Sequence, residues 1–273
     1  MSTIGVFDSG FGGLTVLRAL LNEIPDASYL YLGDTARLPY GSKSRETIAR
    51  YAVTSARFLE RQGAEFLVIA CNTASALALD VLQEEMSIPV IGVIEPGAAA
   101  AKSASPFGDV LVLATEATVQ SHAYAAACDT LGLRTLEKAC PLLVPLVEEG
   151  WIEHPVTDEV LRIYLSQALS QARENNLAPE TLLLGCTHYP LLRTSIERIL
   201  AELASPMRVI DSAEATAKRV AEMLLGEKLK DPGHYQIQQS TFFATDSIEK
   251  FRRLGSHFLG RTLERVEHID LGG

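Results

Sequence analysis

Apolar residues along this chain gather in short continuous runs rather than in alternating ones. The runs are TIGVF, SYLYL, EFLVI, IPVIGVI, DVLVL, TLLLG and MRVI, and each predicts a β-strand. Stretches with helical spacing lie between them, among them residues 44–62, 118–131, 158–175 and 191–203. A strand with no polar face is covered on both sides, as in parallel sheets flanked by helices. The fold class predicted is therefore α/β, with functional sites beyond the carboxyl ends of the strands. The loop-rich stretch 95–106 and the Ser-Pro step at 205–206 are the expected crossing points between domains.

Composition narrows the function. The chain has 273 residues, 47% of them apolar and 21% charged, which fits a globular protein and excludes a disordered or fibrous one. A formal net charge of −10 argues against nucleic acid as an obligatory partner, because phosphate contacts need clustered Lys and Arg. No apolar stretch approaches the roughly 20 residues of a membrane span. The opening MSTIGVFDSG has no basic or hydrophobic leader pattern, so a cytoplasmic protein is expected. In that compartment Cys71, Cys128, Cys140 and Cys186 are expected as reduced thiols. None forms a CxxC pair, so no metal site is expected.

Three motifs carry chemistry. GVFDSGFGGLTVL has a strand, a glycine turn and a helix, with Asp34 closing the next strand, the outline of a dinucleotide site. The third glycine is missing, since Thr15 stands there, and Asp8 at the mouth of the turn would repel a pyrophosphate. The glycines instead allow close backbone approach to a small ligand, and Asp8 suits an ammonium group. FLVIACNTASAL and LLLGCTHYPLL share one grammar: apolar run, small residue, cysteine, polar residues, helix. Amide groups at such a turn favour a thiolate, whereas Cys128 and Cys140 read as packing residues. Asn72, Thr73, Thr187 and His188 suit a carboxylate, and His188 is two residues from Cys186, close enough to hold or move its proton. His122, His154, His234, His257 and His268 read as surface or packing residues. Two thiols on either side of one small ligand suit inversion of an amino-acid α-carbon, one removing a proton and the other supplying one. Without a cofactor, the carbanion needs hydrogen bonds to the carboxylate and a protonated ammonium group.

Taken together, DSGFGGLTVL, GDTARLPYGSKS, ACNTASA, VIEPGA, ATVQSHAY, ACPLLVPLVEEG and GCTHYPLL closely resemble bacterial glutamate racemase, and FFATDSIEKFRRLGSHFLG is similar to that family's tail. PYGS points to the glutamate rather than the aspartate branch of the superfamily. The resemblance implies two similar α/β domains of mainly parallel strands with the active site in the interdomain cleft, residues 1–97 with 209–273 forming one domain and 98–208 the other. It implies Cys71 and Cys186 as acid/base residues for the D- and L-glutamate α-protons respectively, assisted by Asp8 and His188. It further implies Asp8, Ser9, Tyr40, Gly41, Asn72, Thr73, Thr115, Thr118, Thr187 and His188 as substrate contacts, with Glu148 a further one. No cofactor, a glutamate substrate, a homodimer and a role in supplying D-glutamate for peptidoglycan follow from the same resemblance. Ala114 and Phe11 depart from the family's usual residues, and neither is a proton-transfer position. An aspartate or related racemase is the nearest alternative. A cysteine hydrolase built on Cys186 and His188 leaves Cys71 without a role, and a non-catalytic amino-acid-binding protein leaves both thiols without one.

Overall fold

All seven strands predicted from apolar runs form, and among the described residues three more join them. The structure, a computed structural model, describes residues 2–105, 108–225 and 240–272, with the side chain of Leu225 excepted. The strands are β1 (Thr3–Asp8), β2 (Ser28–Gly33), β3 (Phe66–Ile69), β4 (Val90–Gly92), β5 (Asp109–Ala114), β6 (Thr135–Ala139), β7 (Pro179–Gly185), β8 (Arg208–Asp211), β9 (Ser240–Ala244) and β10 (Glu267–His268). The helices are α1 (Leu14–Glu23), α2 (Arg45–Arg61), α3 (Asn72–Glu85), α4 (Ile94–Ala104), α5 (Glu116–Ser121), α6 (Ala123–Thr130), α7 (Leu143–Glu148), α8 (Pro155–Glu174), α9 (Arg193–Glu202), α10 (Ser212–Leu225) and α11 (Ile248–Leu259). The chain divides into two units, Met1–Val93 with Ala213–Gly273, and Ile94–Ser212. These divisions fall at the starts of α4 and α10, whereas the bounds 97/98 and 208/209 fall within α4 and within β8.

The first unit holds a parallel sheet in the order β10-β9-β2-β1-β3-β4. Both faces are covered, which is why its strands read as continuous apolar runs. Phe7, Leu32, Leu67 and Ile69 pack with Ile48, Ala52 and Ala56 of α2 and Ala74, Ala78 and Leu82 of α3. On the opposite face Tyr31, next to Leu32, meets Phe251 of α11 at 5.9 Å between ring centroids. Phe11 is buried in the same aromatic cluster, 6.3 Å from Phe251 and 6.0 Å from Phe258, so its bulk serves packing against α11.

The second unit holds a parallel sheet in the order β6-β5-β7-β8. Two expectations need correction here. Residues 95–104 are helical: Pro96 lies in the first turn of α4, where its missing N–H is no loss, and an alanine run carries the helix on. Pro106 lies outside the described residues. The helix expected over 118–131 is broken into α5 and α6 at His122, whose backbone is left-handed at φ 54°. Among the described residues no helix is long and apolar enough to cross a membrane.

Candidate active site

The two sheets share one topology. In the first, the chain leaves β1 for β2 on one side and later returns to place β3 on the other; in the second, β5, β6 and β7 repeat the pattern. Such a reversal opens a crevice at the carboxyl ends of the two central strands, where ligands bind in α/β sheets. Each cysteine motif follows the strand that completes the reversal: Cys71 after β3 and Cys186 after β7.

In the first unit, Phe7 and Ile69 are register partners, so Asp8 and the Ala70–Cys71 step emerge side by side. Asp8 is fully buried and its Oδ2 accepts a hydrogen bond from the Gly10 amide at 2.9 Å. The Cys71 thiol donates to Ser9 Oγ at 3.4 Å and accepts from the Ala74 amide at 3.4 Å, capping α3. Asn72 and Thr73, buried, open that helix. Close approach explains one glycine of the turn: a Cβ on Gly13 would lie 2.6 Å from Asp8 Cβ and 2.8 Å from Ala70 Cβ. Gly13 thus lets α1 start against both strands that carry the site.

The electrostatics reverse one expectation. Capping was expected to favour a Cys71 thiolate, yet the thiol is pushed up to about 11, first by burial and then by the Asp8 charge. Hydrogen bonding with Ser9 and with the Ala74 amide pulls the other way and loses. Cys71 therefore rests as a thiol.

Tyr40 and Gly41 stand in a 3-10 turn, Tyr40–Ser42, that follows β2. The Tyr40 hydroxyl donates to Asp34 Oδ2 at 2.6 Å and the side chain is buried. Asp34, the residue in the ribose-binding position of a dinucleotide fold, is thus occupied within the protein.

In the second unit, Ala114 and Gly185 are register partners, which brings Thr115 and Cys186 to the same sheet edge. Thr115 caps α5, with its Oγ1 2.9 Å from Thr118 Oγ1. Cys186 is 6% exposed, its sulfur 3.9 Å from His188 Nδ1, and Thr187 Oγ1 is 3.4 Å from the same nitrogen. His188 Nε2 lies 3.3 Å from Glu148 Oε1 at the end of α7, so the ring links sulfur to carboxylate. Unlike Cys71, Cys186 does not cap a helix: a 3-10 turn, Tyr189–Leu192, separates it from α9.

Three residues near these groups were not legible as site residues. Tyr124 is fully buried and interacts with Ser212 and Cys186; a Cβ on Gly185 would lie 2.9 Å from its ring. Asp34 and Thr245 are the others. A carboxylate–hydroxyl bond between positions 211 residues apart leaves no local signal. Cys128 and Cys140 are buried, and burial raises both thiols, Cys140 to about 12, as expected of packing residues. His122, His257 and His268 are exposed, His154 stacks on Trp151, and His234 lies outside the described residues. None of the four cysteines is in a disulfide, and among the described residues no group of His, Cys, Asp or Glu is placed to hold a metal.

The family described as Asp/Glu/Hydantoin racemase matches residues 5–220. A glutamate racemase of Koribacter versatilis is 51% identical over 99% of this chain and 98% of its own. The glutamate racemase of Francisella tularensis, solved in complex with D-glutamate, has a TM-score of 0.87 and 36% identity, covering 99% of this chain and 98% of that one. That of Thermus thermophilus, solved with β-chloro-D-alanine, has a TM-score of 0.85 and 44% identity, covering 99% and 97%.

Proposed function

This chain belongs to the Asp/Glu/hydantoin racemase family and, within it, to the glutamate racemases, and from that premise we propose that it interconverts L- and D-glutamate with two cysteines and no cofactor. The observation that carries the reading is the repeated placement of a buried cysteine beyond the strand that completes each sheet's reversal, each with its own polar neighbours. Inversion needs a base on one face of the α-carbon and an acid on the other.

In the L-to-D direction, Cys186 as thiolate takes the α-proton, and the electron pair stays on the α-carbon. Cys71 as thiol delivers a proton to the opposite face and becomes a thiolate. Its raised pKa suits it to be the donor in this direction. The D-to-L direction exchanges the roles, and the proton count is unchanged. After one turnover the two sulfurs have swapped protonation states. His188, paired with Glu148, and Asp8 are the groups placed to help reset them.

Asp8 takes the substrate ammonium, and that positive charge offsets the effect by which Asp8 raises the Cys71 thiol. Ser9, Asn72 and Thr73 in one unit, and Thr115, Thr118 and Thr187 in the other, supply hydroxyl and amide groups for the carboxylates and for charge developing on them. Tyr40 and Gly41 complete the substrate contacts. We place the enzyme in the cytoplasm as a homodimer that supplies D-glutamate for peptidoglycan.

The test is incubation of the protein with L-glutamate in D₂O without added cofactor. Loss of optical activity together with deuterium at the α-position supports the two-base route, and Cys71→Ser should abolish racemisation. No exchange with glutamate sinks the reading, and exchange with aspartate alone transfers it to that substrate.

A further inference from the structure

We infer that Asp34 and Thr245 are positioning residues that hold the Tyr40–Gly41 turn ready for substrate, so that the segment from β9 into α11 sets the affinity of the site. The inference rests on the proposed reading that this turn binds glutamate. It gives a role to the FFATDS motif near the chain's end, which no catalytic step uses.

Asp34 is fully buried, and three donors converge on its carboxylate. Tyr40 Oη lies 2.6 Å from Oδ2, Thr245 Oγ1 lies 3.0 Å from Oδ1, and Arg37 Nη1 lies 3.4 Å from Oδ2. Thr245 Oγ1 also accepts from the Ala36 amide at 2.9 Å. The next residue repeats the clasp: the Asp246 amide donates to Thr35 Oγ1 at 2.9 Å, and that hydroxyl donates to the Asp246 carbonyl at 2.5 Å. Behind these contacts β9 pairs with β2, with Ala244 opposite Gly33. Arg37 is itself held, its guanidinium 4.5 Å over the Tyr51 ring and its Nη2 donating to the Gly272 carbonyl.

The arrangement has two physical consequences. The Tyr40 hydroxyl is committed to Asp34, so this side chain anchors the turn and its backbone is what remains for a ligand. A buried carboxylate satisfied by several donors is also rigid, because removing a donor leaves its charge less well compensated, most of all at Oδ1, which Thr245 serves. A binding turn already held in place spends little ordering entropy when substrate arrives. Loosening the clasp should therefore weaken binding and leave proton transfer at the cysteines intact.

The experiment measures steady-state racemisation in both directions for wild type, Thr245→Val and Thr245→Ser. Valine keeps the shape and removes the hydroxyl; serine restores it. The expected result for Thr245→Val is a KM raised about tenfold for both enantiomers, the weight of one hydrogen bond to a charged group. The same variant should keep kcat within about twofold, since no group at the α-carbon has changed. Serine should return KM to near the wild-type value. If Thr245→Val does not fold, Thr35→Val removes the second hydroxyl of the clasp, the one bonded to Asp246, and carries the same expected rise in KM with kcat kept. An unchanged KM in the folded variant overturns the inference, as does a loss of kcat at constant KM, the mark of a merely structural role. If wild type itself fails to racemise glutamate, the proposed function falls first, so the two failures are distinguishable.

Discussion

The buried Cys71 thiol makes a quantitative prediction about alkaline stability. Its pKa rises from 9.0 to about 11 in the folded protein, driven by burial and then by Asp8. A group whose folded pKa is raised contributes stability that is complete below the unfolded pKa and is lost as pH climbs through the folded one. The window here runs from about pH 9 to about pH 11. Two units correspond to about 2.7 kcal/mol in all, of which roughly 1.3 kcal/mol is lost between about pH 8 and pH 10. Cys71→Ser cannot ionise, so its stability should fall less over that interval by the same roughly 1.3 kcal/mol. Other buried groups that titrate at high pH, Cys140 among them, are present in both proteins and cancel in the difference. Urea unfolding followed by far-UV circular dichroism at both pH values measures it. The single tryptophan, Trp151, reports on the other unit by fluorescence and serves as a control. Parallel curves for the two proteins would refute the argument, and with it the resting thiol on which the proton-donor role of Cys71 depends.

Three further outcomes are expected. Gly13→Ala forces a Cβ between Asp8 and Ala70 and should cost about 1–3 kcal/mol; activity should fall further than stability, and a wild-type melting temperature and kcat would contradict the packing argument. Glu148→Gln removes the charge opposite His188 Nε2 and should lower kcat about tenfold with little change in unfolding midpoint; an unchanged kcat would remove Glu148 from the mechanism. Asp109→Ala strips the buried acceptor of Arg134 Nε, Arg134 Nη2 and the Ala178 amide, at 2.8, 2.7 and 2.7 Å. Because Arg134 is largely exposed, the loss should be near about 2 kcal/mol, read from urea midpoints, and a change within error would show that solvent replaces these bonds.

How legible the fold was depended on how deeply each strand is buried. The two-faced strands β1, β3, β5 and β7 announce themselves as unbroken apolar runs. TLEKA of β6 is half-buried along its whole length at a sheet edge, so it keeps polar residues and looks like a loop. β9 pairs with β2 in the sheet interior, but two of its five residues are only partly buried, and the strand it pairs with, β2, lies near the other end of the sequence. In α4, Pro96 and Gly97 outweighed the alanine run on paper, whereas in the structure proline in a first turn does no harm. The cysteines, Asp8 and His188 were readable because each stands within two or three residues of its strand end. What the chain alone concealed was the balance at Cys71, where burial beats a capping amide, and the Asp34–Thr245 pairing, which exists only once the last segment has joined the first sheet.

That late arrival matters for a chain made from its N-terminus. The second unit is one continuous stretch and can close as soon as it has been synthesised, but the first is interrupted by it. β2 remains an open edge until β9 appears, beginning at Ser240 of 273 residues. An open edge is where a nascent chain is prone to pair with a stranger. A polypeptide released early on the ribosome would thus carry both cysteines and still lack the strand that closes its first sheet. Quality control that reads exposed strand edges would distinguish it from the finished protein without testing for activity.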